Sequence, residues 1–488
     1  MADYLWSQLL SGLPQQTMSF LTRTAVLGRM SGRLCDAVLD TTDSGRVLES
    51  LEGANLLVVP LDRRREWYRY HDLFRELLRA ELERREPELI GELHARAAVW
   101  CERNGLPEMA IDHAQAAGDA DRVARLVADR AQPAYAGGRV DTALRWLQWF
   151  EDQGLIDRYP RVACIGAEAG VLLGDPAAAE RLAAVAERAL AEESLPEREQ
   201  VEAGMALLRA FMCRDGVKRA LADAEFAWER LDPGDAARGL ARFLQGIAHL
   251  ADGEPDRADP VLAHAVDVFL QVGGLPGASA SLAERSAVAI GRQDWRQAET
   301  LADRALATVG AGHLEDYIMS PLVYAVVART ALHRGDVPRA QQHLARAARL
   351  RPLLSHAFPH FAVQTLLELA RAYLALDDAA GARVVLREAR DIIQRRPNLG
   401  VLPQQAEELR SRLDAVRGGS VGPSSLTTAE LRLLPLLATH LSFREIGERL
   451  HVSRHTVKSQ AISVYRKLGV SSRSQAITRV QQLGLLGP

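Results

Sequence analysis

The sequence predicts a mainly α-helical protein built from modules in series. Ala- and Leu-rich helical patterns run through most of the chain, a spaced small-residue motif recurs in its middle, and four strongly capped short helices close it. Few segments alternate in the manner of strands. The predicted modules are a helix-and-hairpin unit at 1–88, a helical repeat array at 89–416, a flexible linker at 417–425 and a four-helix unit at 426–488.

The first module is expected to be winged-helix-like. Helical patterns occupy Leu5–Leu10, Gln15–Val26, Ser31–Leu39 and a stretch from Ser44 to about Glu52. Two strand patterns, Asn55–Leu61 and Glu66–Tyr70, then enclose a charged turn, and His71 opens another helix. The turn arginines, Arg63 to Arg65, are followed by Glu66, which favours a solvated turn over a phosphate site.

The array is predicted from a motif in which an acidic residue is followed by Ala at +4, Ala or Leu at +8 and Ala at +11. Its copies begin at Asp175, Glu254, Asp294, Asp336 and Asp378. The last three are 42 residues apart, a period typical of stacked helix pairs. The acidic residue is expected to start the second helix of each pair, where the helix dipole favours it. This pattern predicts a tetratricopeptide-like superhelix; generic Ala-rich packing is the alternative.

A superhelix of this kind offers a concave surface for a protein or a small ligand, so the array is expected to receive an unidentified effector or partner. Trp146, Trp149 and Phe150 could stack on a sugar or a peptide, but their helical spacing favours a core position. Residues 417–425 have the composition of a flexible linker, so the last array helix is expected to end near Val416.

Capping residues mark the four C-terminal helices. Ser/Thr-x-x-Glu/Gln boxes and one plain N-cap give their starts: Thr427 with Glu430, Ser442 with Glu445, Ser472 with Gln475, and Ser453 alone. Only a few residues around His451 separate the second helix from the third, which is the spacing of a helix-turn-helix. Pro435 is expected to kink or shorten the first helix.

The third of these helices is predicted to have an apolar and a basic side. The apolar stripe, at helical spacing, consists of Val457, Ala461, Val464 and Leu468. The opposite side carries His455, Ser459, Ile462 and Arg466, flanked by Arg454 and Lys458. Cations hold phosphates and short polar groups reach base edges, so this side is predicted to contact DNA. The alternative is the solvated surface of a small helical bundle.

Charge separates the terminal module from the rest of the chain. Residues 424–488 contain nine Lys and Arg against three Glu, a formal charge of +6 in a chain whose total is −3. A basic terminal module on an acidic body is the electrostatic footprint of a DNA-binding domain attached to a regulatory one.

The motifs in 426–486 closely resemble the LuxR-type helix-turn-helix domain of bacterial transcription regulators. They are Leu-Thr-x-x-Glu, Leu-Ser-x-x-Glu-Ile, Val-Ser-x-x-Thr-Val-Lys and Lys-Leu-Gly-Val-x-Ser-Arg. The resemblance implies base contacts by Lys458, Ser459 and Ile462, and phosphate contacts by Arg454, Thr456 and Lys467. It also implies a dimer contact on the fourth helix, through Ala476, Ile477, Val480 and Leu483. Gln460 and His455 depart from the residues usual in the family.

The segment Trp67–Phe74 is similar to the one that follows the ATPase domain in the large MalT-like branch of LuxR-type regulators. In that branch the order is ATPase, winged helix, helical repeats and LuxR-type module, and the resemblance extends over essentially the whole chain. The winged helix is then expected to act as an internal switch element. No Gly-x-x-x-x-Gly-Lys-Ser/Thr motif occurs, which disfavours a nucleotide hydrolase.

Other signals favour a binding protein over an enzyme. Hydrolase and zinc-enzyme motifs do not occur in the sequence, and Cys35, Cys101, Cys164 and Cys213 are scattered, as in reduced, mostly buried thiols of a cytosolic protein. No basic n-region opens the chain, and no stretch approaches the roughly 20 apolar residues of a membrane span. The predicted location is the cytoplasm.

The predicted function is therefore a DNA-binding transcription regulator that uses no cofactor or metal. A solenoid adaptor with a vestigial DNA-binding domain is the alternative. The predicted partners are double-stranded DNA, a second copy of the chain on DNA, RNA polymerase and the effector of the array, and no membrane is expected.

Overall fold

A computed structural model describes residues 13–54, 57–136, 139–192, 194–195, 197–232, 234–235, 237–415 and 423–486. The predicted helix at Leu5–Leu10, the first residues of the predicted first strand, residue 416 and linker residues 417–422 lie outside these ranges. The chain falls into two compact units, residues 1–130 and 131–488. Within the described ranges, no helix combines the length and the apolar character that crossing a bilayer requires.

The first unit has the elements of the predicted winged helix. They are α1 (Gln15–Thr24), α2 (Gly32–Leu39), α3 (Ser44–Gly53), β1 (Val58–Pro60), β2 (Tyr68–Tyr70), α4 (Asp72–Arg85), α5 (Pro87–Arg103), α6 (Pro107–Ala117) and the start of α7 (Ala120–Ala136). Helix α5 packs against α2, α4 and α6. The compact unit therefore extends beyond the predicted boundary at residue 88.

The β-hairpin is antiparallel, with Val58 opposite Tyr70 and Pro60 opposite Tyr68. Asp62 organises its turn, because the carboxylate accepts hydrogen bonds from the amides of Arg64 (2.8 Å) and Trp67 (2.8 Å). The turn arginines are exposed, as the solvated-turn interpretation predicts.

Two buried histidines face each other in the first unit. The Nδ1 atoms of His94 and His113 are 2.9 Å apart, and burial lowers the pKa of each imidazole to about 4. One neutral ring donates to the other. Across the described residues, no group of three or more His, Cys, Asp and Glu side chains is arranged to hold a metal ion.

The second unit continues the helical order. Its array elements are α8 (Val140–Asp152), α9 (Pro160–Leu172), α10 (Pro176–Leu190), α11 (Arg198–Met212), α12 (Val217–Arg230), α13 (Ala237–Ala251), α14 (Pro255–Gln271), α15 (Leu275–Gly291), α16 (Trp295–Ala311), α17 (Ser320–His333), α18 (Val337–Leu350), α19 (Pro359–Ala375), α20 (Ala379–Arg395) and α21 (Leu402–Ala415). The terminal module consists of α22 (Thr428–Leu437), α23 (Phe443–Leu450), α24 (Arg454–Leu468) and α25 (Arg473–Gln482).

The array is a stack of helix pairs, from α9 with α10 to α19 with α20, and this confirms the repeat prediction. The recurring acidic residue is the N-cap of each second helix. Asp294, Asp336 and Asp378 each accept a hydrogen bond from the amide three residues on, at 3.0, 3.1 and 2.9 Å. The Ala and Leu positions of the motif are buried in all five copies. Local capping therefore reinforces the dipole effect that the pattern suggested.

The inner helices of the array form a core instead of an open concave surface. Helix α15 is buried along most of its length, and α19 packs against α11, α13 and α17. The Phe358 ring lies 4.7 Å from Phe211 and 6.4 Å from Phe243, between centroids. Because α15 is buried on nearly every side, including at Ser281 and Glu284, neighbouring helices must cover it, and the array packs against itself. Trp146 and Phe150 are also buried, in agreement with the core interpretation.

The terminal module packs directly against the array. Ala348, together with the partly buried Ala345 of α18, joins an apolar cluster formed by Leu426, Leu431 and other module residues. A 3₁₀ turn, Pro423–Ser425, lies against α20. Although residues 416–422 lie outside the description, the segment that follows them is held in place, so 423–425 does not behave as the predicted flexible linker.

Candidate DNA-binding site

The helix starts of the terminal module are where the capping residues predict them. The Thr427 hydroxyl accepts from the Glu430 amide at 3.4 Å, and the Glu430 carboxylate accepts from the Thr427 amide at 2.8 Å. Ser442 and Glu445 form an equivalent pair of hydrogen bonds. Ser453 caps α24 by accepting from the Thr456 amide at 3.0 Å.

The fourth helix is capped differently from the prediction. The Ser472 hydroxyl accepts from the Gln475 amide at 3.3 Å, as expected. The Gln475 side chain, however, accepts from the Ser471 amide at 3.0 Å instead of returning to Ser472. The capping box is therefore incomplete, although the helix begins at the predicted residue.

A tight turn brings α23 and α24 together. His451 adopts the left-handed conformation (φ 54°), and the Val452 amide donates to the Gly447 carbonyl at 2.9 Å. A Cβ atom on Gly447 would lie 2.6 Å from the Val452 carbonyl oxygen, so only glycine allows this approach. The turn fixes the direction in which α24 leaves α23.

Arg473 holds the C-terminal end of α22 and the loop that follows it. Its guanidinium donates to the carbonyls of Leu436, Leu437, Thr439 and Leu441, at distances from 2.7 to 3.2 Å. Carbonyls at the end of a helix and in the loop after it lack a full set of helical amide partners, so a side-chain donor stabilises them. Sequence reasoning assigned this arginine no role. The signal that could have indicated a role is its position at the end of the Lys-Leu-Gly-Val-x-Ser-Arg motif.

Helix α24 has the two sides that its sequence predicts. Val457, Ala461 and Val464 are completely buried, and Leu468 is nearly so. The opposite side carries exposed residues: Arg454, His455, Lys458, Ser459, Ile462 and Arg466. Ile462 is 57% exposed, which is unusual for a large apolar side chain.

The polar side of α24 has few internal partners among the described residues. Within the described part of the chain, no hydrogen bond or ion pair occupies the side chains of Lys458, Ser459 or Arg466. The Thr456 hydroxyl is half-buried and lies 2.8 Å from the Ser453 hydroxyl, so it belongs to the cap as well as to the surface. The surface formed by residues 454, 455, 458, 459, 462 and 466 is called the recognition face below.

Lys467 does not lie on the recognition face, which corrects its prediction as a phosphate contact. Its ammonium group donates to the Glu430 carboxylate at 2.6 Å and to the Ser425 carbonyl at 2.8 Å, and its side chain is 13% exposed. Burial by itself would raise the pKa of Glu430, but the hydrogen bonds from Lys467 and the Thr427 amide outweigh it and lower that pKa. Lys467 therefore ties α24 to α22.

Two of the predicted dimer residues also lie inside the module. Ala476 and Val480 are 1% and 2% exposed, because the apolar side of α25 covers α22 and α24. A second copy of the chain cannot contact these two side chains in this arrangement. Ile477 and Leu483 are half-buried, and Leu483 packs against the cluster that contains Ala348 of the array.

An ion pair between two array residues, Arg351 and Glu388, binds the start of the module through hydrogen bonds. Arg351 is 1% exposed, donates to the Leu426 carbonyl, and has its Nε 3.3 Å from the Glu388 carboxylate. Glu388 accepts from the Thr428 amide at 3.1 Å and from its hydroxyl at 2.7 Å. We call this group, Arg351, Glu388, Leu426 and Thr428, the docking contact. Nothing in the sequence pattern pointed to it, because its residues are far apart along the chain.

Both ends of the chain match domain families of known proteins. A capped four-helix unit with a glycine-dependent turn and an exposed basic helix defines the helix-turn-helix class. Residues 424–480 match the family described as bacterial regulatory proteins, luxR family, and residues 6–90 match the MalT winged helix domain. The two ends of the chain thus match the winged helix domain of MalT and the luxR family, in agreement with the MalT-like, LuxR-type resemblance of the sequence.

Curated relatives share parts of the chain. The HTH-type transcriptional regulator MalT of Yersinia pestis is 24% identical over 391 residues, 79% of this chain and 43% of that protein. MalT of Vibrio campbellii is 27% identical over 271 residues, 53% of this chain and 29% of that protein. The serine/threonine-protein kinase PknK of Mycobacterium tuberculosis is 30% identical over 200 residues, 41% of this chain and 18% of that protein. The chain thus spans less than half the length of each of these relatives.

Among solved structures, the chain is similar to a signal transduction ATPase with numerous domains and a tetratricopeptide repeat sensor, PH0952 from Pyrococcus horikoshii. The TM-score is 0.49 at 14% sequence identity, over 88% of this chain and 64% of that chain.

Proposed function

We propose that this chain is a DNA-binding transcription regulator whose helix α24 enters the major groove. One observation carries the proposal: the recognition face has cations, a short hydroxyl and an exposed isoleucine, all without internal partners in the described residues. Burying such a surface against a duplex would satisfy its charges and give its apolar group a contact. The proposed activity is binding, not catalysis.

Within this proposal, the residues of the recognition face divide by chemistry. Lys458 and Ser459 can donate to base edges, and Ile462 can pack on a thymine methyl group. Arg454, His455 and Arg466 can hold phosphates from the two ends of the helix. The hydroxyl of Thr456, at the first turn of α24, can reach a phosphate once its bond to Ser453 is exchanged.

We further propose that two copies bind two half-sites on DNA, as symmetric helix-turn-helix proteins do. The side of α25 that remains open offers Ile477 among polar residues for this contact. A regulator bound at a promoter acts through RNA polymerase, and the array is the part proposed to receive the effector.

Lys458→Ala tests the DNA-binding proposal. The full chain is used to select ligands from a random duplex library, and affinity for the selected duplex is then measured by electrophoretic retardation. We expect Lys458→Ala to weaken binding about tenfold, the usual value of a specific base contact. The thermal midpoint should not change, because the Lys458 side chain is exposed and makes no hydrogen bond or ion pair in the described residues.

Lys218→Ala is the matched control. Lys218 is an exposed lysine of α12 in the array, so the substitution removes the same charge away from the recognition face. It should leave DNA affinity unchanged. Equal affinities for the unaltered chain and Lys458→Ala, or failure of the full chain to select any duplex, would contradict the proposal.

A further inference from the structure

A cavity of about 700 Å³ opens beside the docking contact. Its walls come from the array, through the loop before α10, the turn after α18 and one side of α20, and from the module, through α22. The volume is within the range of small-molecule sites in proteins. A small ligand bound in this cavity would contact both the array and the module.

The acidic groups of the cavity are mostly occupied. Asp175 caps α10, accepting from the amides of Ala177 and Ala178 at 3.1 Å each. Glu388 is held by Thr428 and Arg351 in the docking contact. Neither carboxylate is therefore available to neutralise the arginines on the same walls.

The basic groups of the cavity are not occupied by carboxylates. In the described residues the Arg395 guanidinium has no hydrogen bond or ion pair. The Arg432 guanidinium has one neutral partner, the Pro352 carbonyl at 3.1 Å. Some arginines of the array are paired across neighbouring helices, as Arg339 is with Asp303 at 2.7 Å. The two guanidiniums of the cavity have no carboxylate partner in the described residues.

A third group reports the same positive environment. His356 lies on the cavity wall, and its pKa is lowered first by burial and then by the charges of Arg395 and Arg396. An anion placed there would be attracted by the same arginines that disfavour the imidazolium. Asp391, on the same wall and without a partner in the described residues, would accept a hydrogen bond from a hydroxyl or ammonium group.

We propose that this cavity binds a small metabolite that presents a phosphate or carboxylate group to Arg395 and Arg432 and a hydroxyl or ammonium group to Asp391. Arginine suits both oxyanions because its planar donors match their geometry. Arg432 belongs to the module and Arg395 to the array, so the bound anion bridges the two and stabilises the docked arrangement. Only this regulatory consequence rests on the proposed function, because binding itself does not require it.

The test uses the full chain with two probes, inorganic phosphate and citrate, in calorimetric titrations. We expect at least one probe to bind saturably and to bind about tenfold or more weakly after Arg395→Gln or Arg432→Gln, since each removes a hydrogen-bonding charge. Arg383→Gln is the matched control. Arg383 is an exposed arginine of the same helix α20 that does not line the cavity.

The two probes distinguish which oxyanion the cavity binds. Binding of phosphate alone assigns a phosphate group to the ligand, and binding of citrate alone assigns a carboxylate. Absence of saturable binding by both probes, or equal loss in Arg383→Gln, overturns the proposal. Retardation of selected DNA, measured on the same preparations, tells failure of this inference from failure of the DNA-binding proposal.

Discussion

The recognition face and the docking contact use similar residues in opposite ways. On α24, Lys458 ends in solvent, whereas Lys467, nine residues further on, ends on Glu430 and a backbone carbonyl. At the docking contact, Arg351 is likewise buried and paired. The cations of the module and of its contact with the array are thus of two kinds: some hold the structure together, and others have no hydrogen bond or ion pair in the described residues.

The net charge of a basic module does not by itself identify the side chains that can contact DNA. A net charge of +6 over residues 424–488 describes the electrostatic field but does not say which cations a duplex can reach. Only cations without an internal carboxylate can exchange water for phosphate at little cost. Substitutions in the two regions should therefore separate stability from DNA affinity.

The largest effect is expected for Arg351→Met. Removing the guanidinium leaves Glu388 partly buried without its cation and the Leu426 carbonyl without its donor. Breaking one partner of a buried pair costs about 3 kcal/mol or more. We expect a matching decrease in the free energy of unfolding of the full chain, measured by urea titration, and faster amide exchange in α22.

Arg383→Met is the control for this substitution. It removes an arginine that is exposed, and it should change the free energy of unfolding by less than about 0.5 kcal/mol. If Arg351→Met unfolds at the same urea concentration as the unaltered chain, the docking contact does not stabilise the molecule.

Lys467→Met should have the next largest effect on stability. Glu430 would lose its ammonium partner while buried, at a cost of about 2 kcal/mol. The folded-state pKa of Glu430 lies below its ordinary value, so its contribution is present above about pH 4.5 and is lost as the pH falls through the folded-state pKa. Urea titrations at pH 7 and pH 4 measure both the cost and its pH dependence.

In the variant, the difference in stability between pH 7 and pH 4 should be smaller than in the unaltered chain, because the Glu430 pKa is no longer held down by Lys467. Lys218→Met, which removes an exposed lysine of the array, should keep the original pH dependence. An unchanged pH dependence in Lys467→Met would mean that the pair is not formed in solution.

Much of this module could be predicted from sequence because its signals are local. Capping boxes such as Thr427 with Glu430 act over three residues, and the buried stripe from Val457 to Leu468 repeats at the helical period. The repeat array was predictable for the same reason, since each acidic N-cap and its small residues lie within one helix.

The features that could not be predicted depend on contacts between distant segments. Lys467 and Ala476 occupy family positions, yet whether they face water depends on which helices cover them. Arg351 and Glu388 meet the module only after the array has stacked. The same holds for the filled inner side of the array, because the sequence of a buried helix such as α15 does not reveal which helices will cover it.

Arg466→Ala should affect DNA affinity and leave stability unchanged. Its guanidinium, exposed at the C-terminal end of α24, is assigned to a phosphate in the proposed complex. We expect weaker binding to all duplexes alike and a decrease of about one in the slope of log affinity against log salt concentration. Retardation at several salt concentrations, with specific and random duplexes, measures both quantities.

Arg479→Ala provides the comparison, since Arg479 is an exposed arginine of α25 outside the recognition face. For Arg479→Ala, the slope of log affinity against log salt concentration should remain closer to that of the unaltered chain. A slope for Arg466→Ala identical to that of the unaltered chain would remove this residue from the proposed phosphate contacts.

The smallest effect is expected for Ile462→Ala, because Ile462 is the uncharged, apolar residue of the recognition face. Ile462 is 57% exposed, so its truncation should not destabilise the folded chain. If it packs on a thymine methyl group, its loss should cost about 1 kcal/mol and relax the preference for one base pair, with no change in salt dependence. Repeating the duplex selection with the variant measures that preference position by position. Leu270→Ala, at an apolar residue of α14 that is 47% exposed, is the matched control and should select the same duplexes as the unaltered chain. An unchanged base preference in Ile462→Ala would show that the exposed isoleucine does not read the duplex, and would restrict sequence recognition by α24 to its polar side chains.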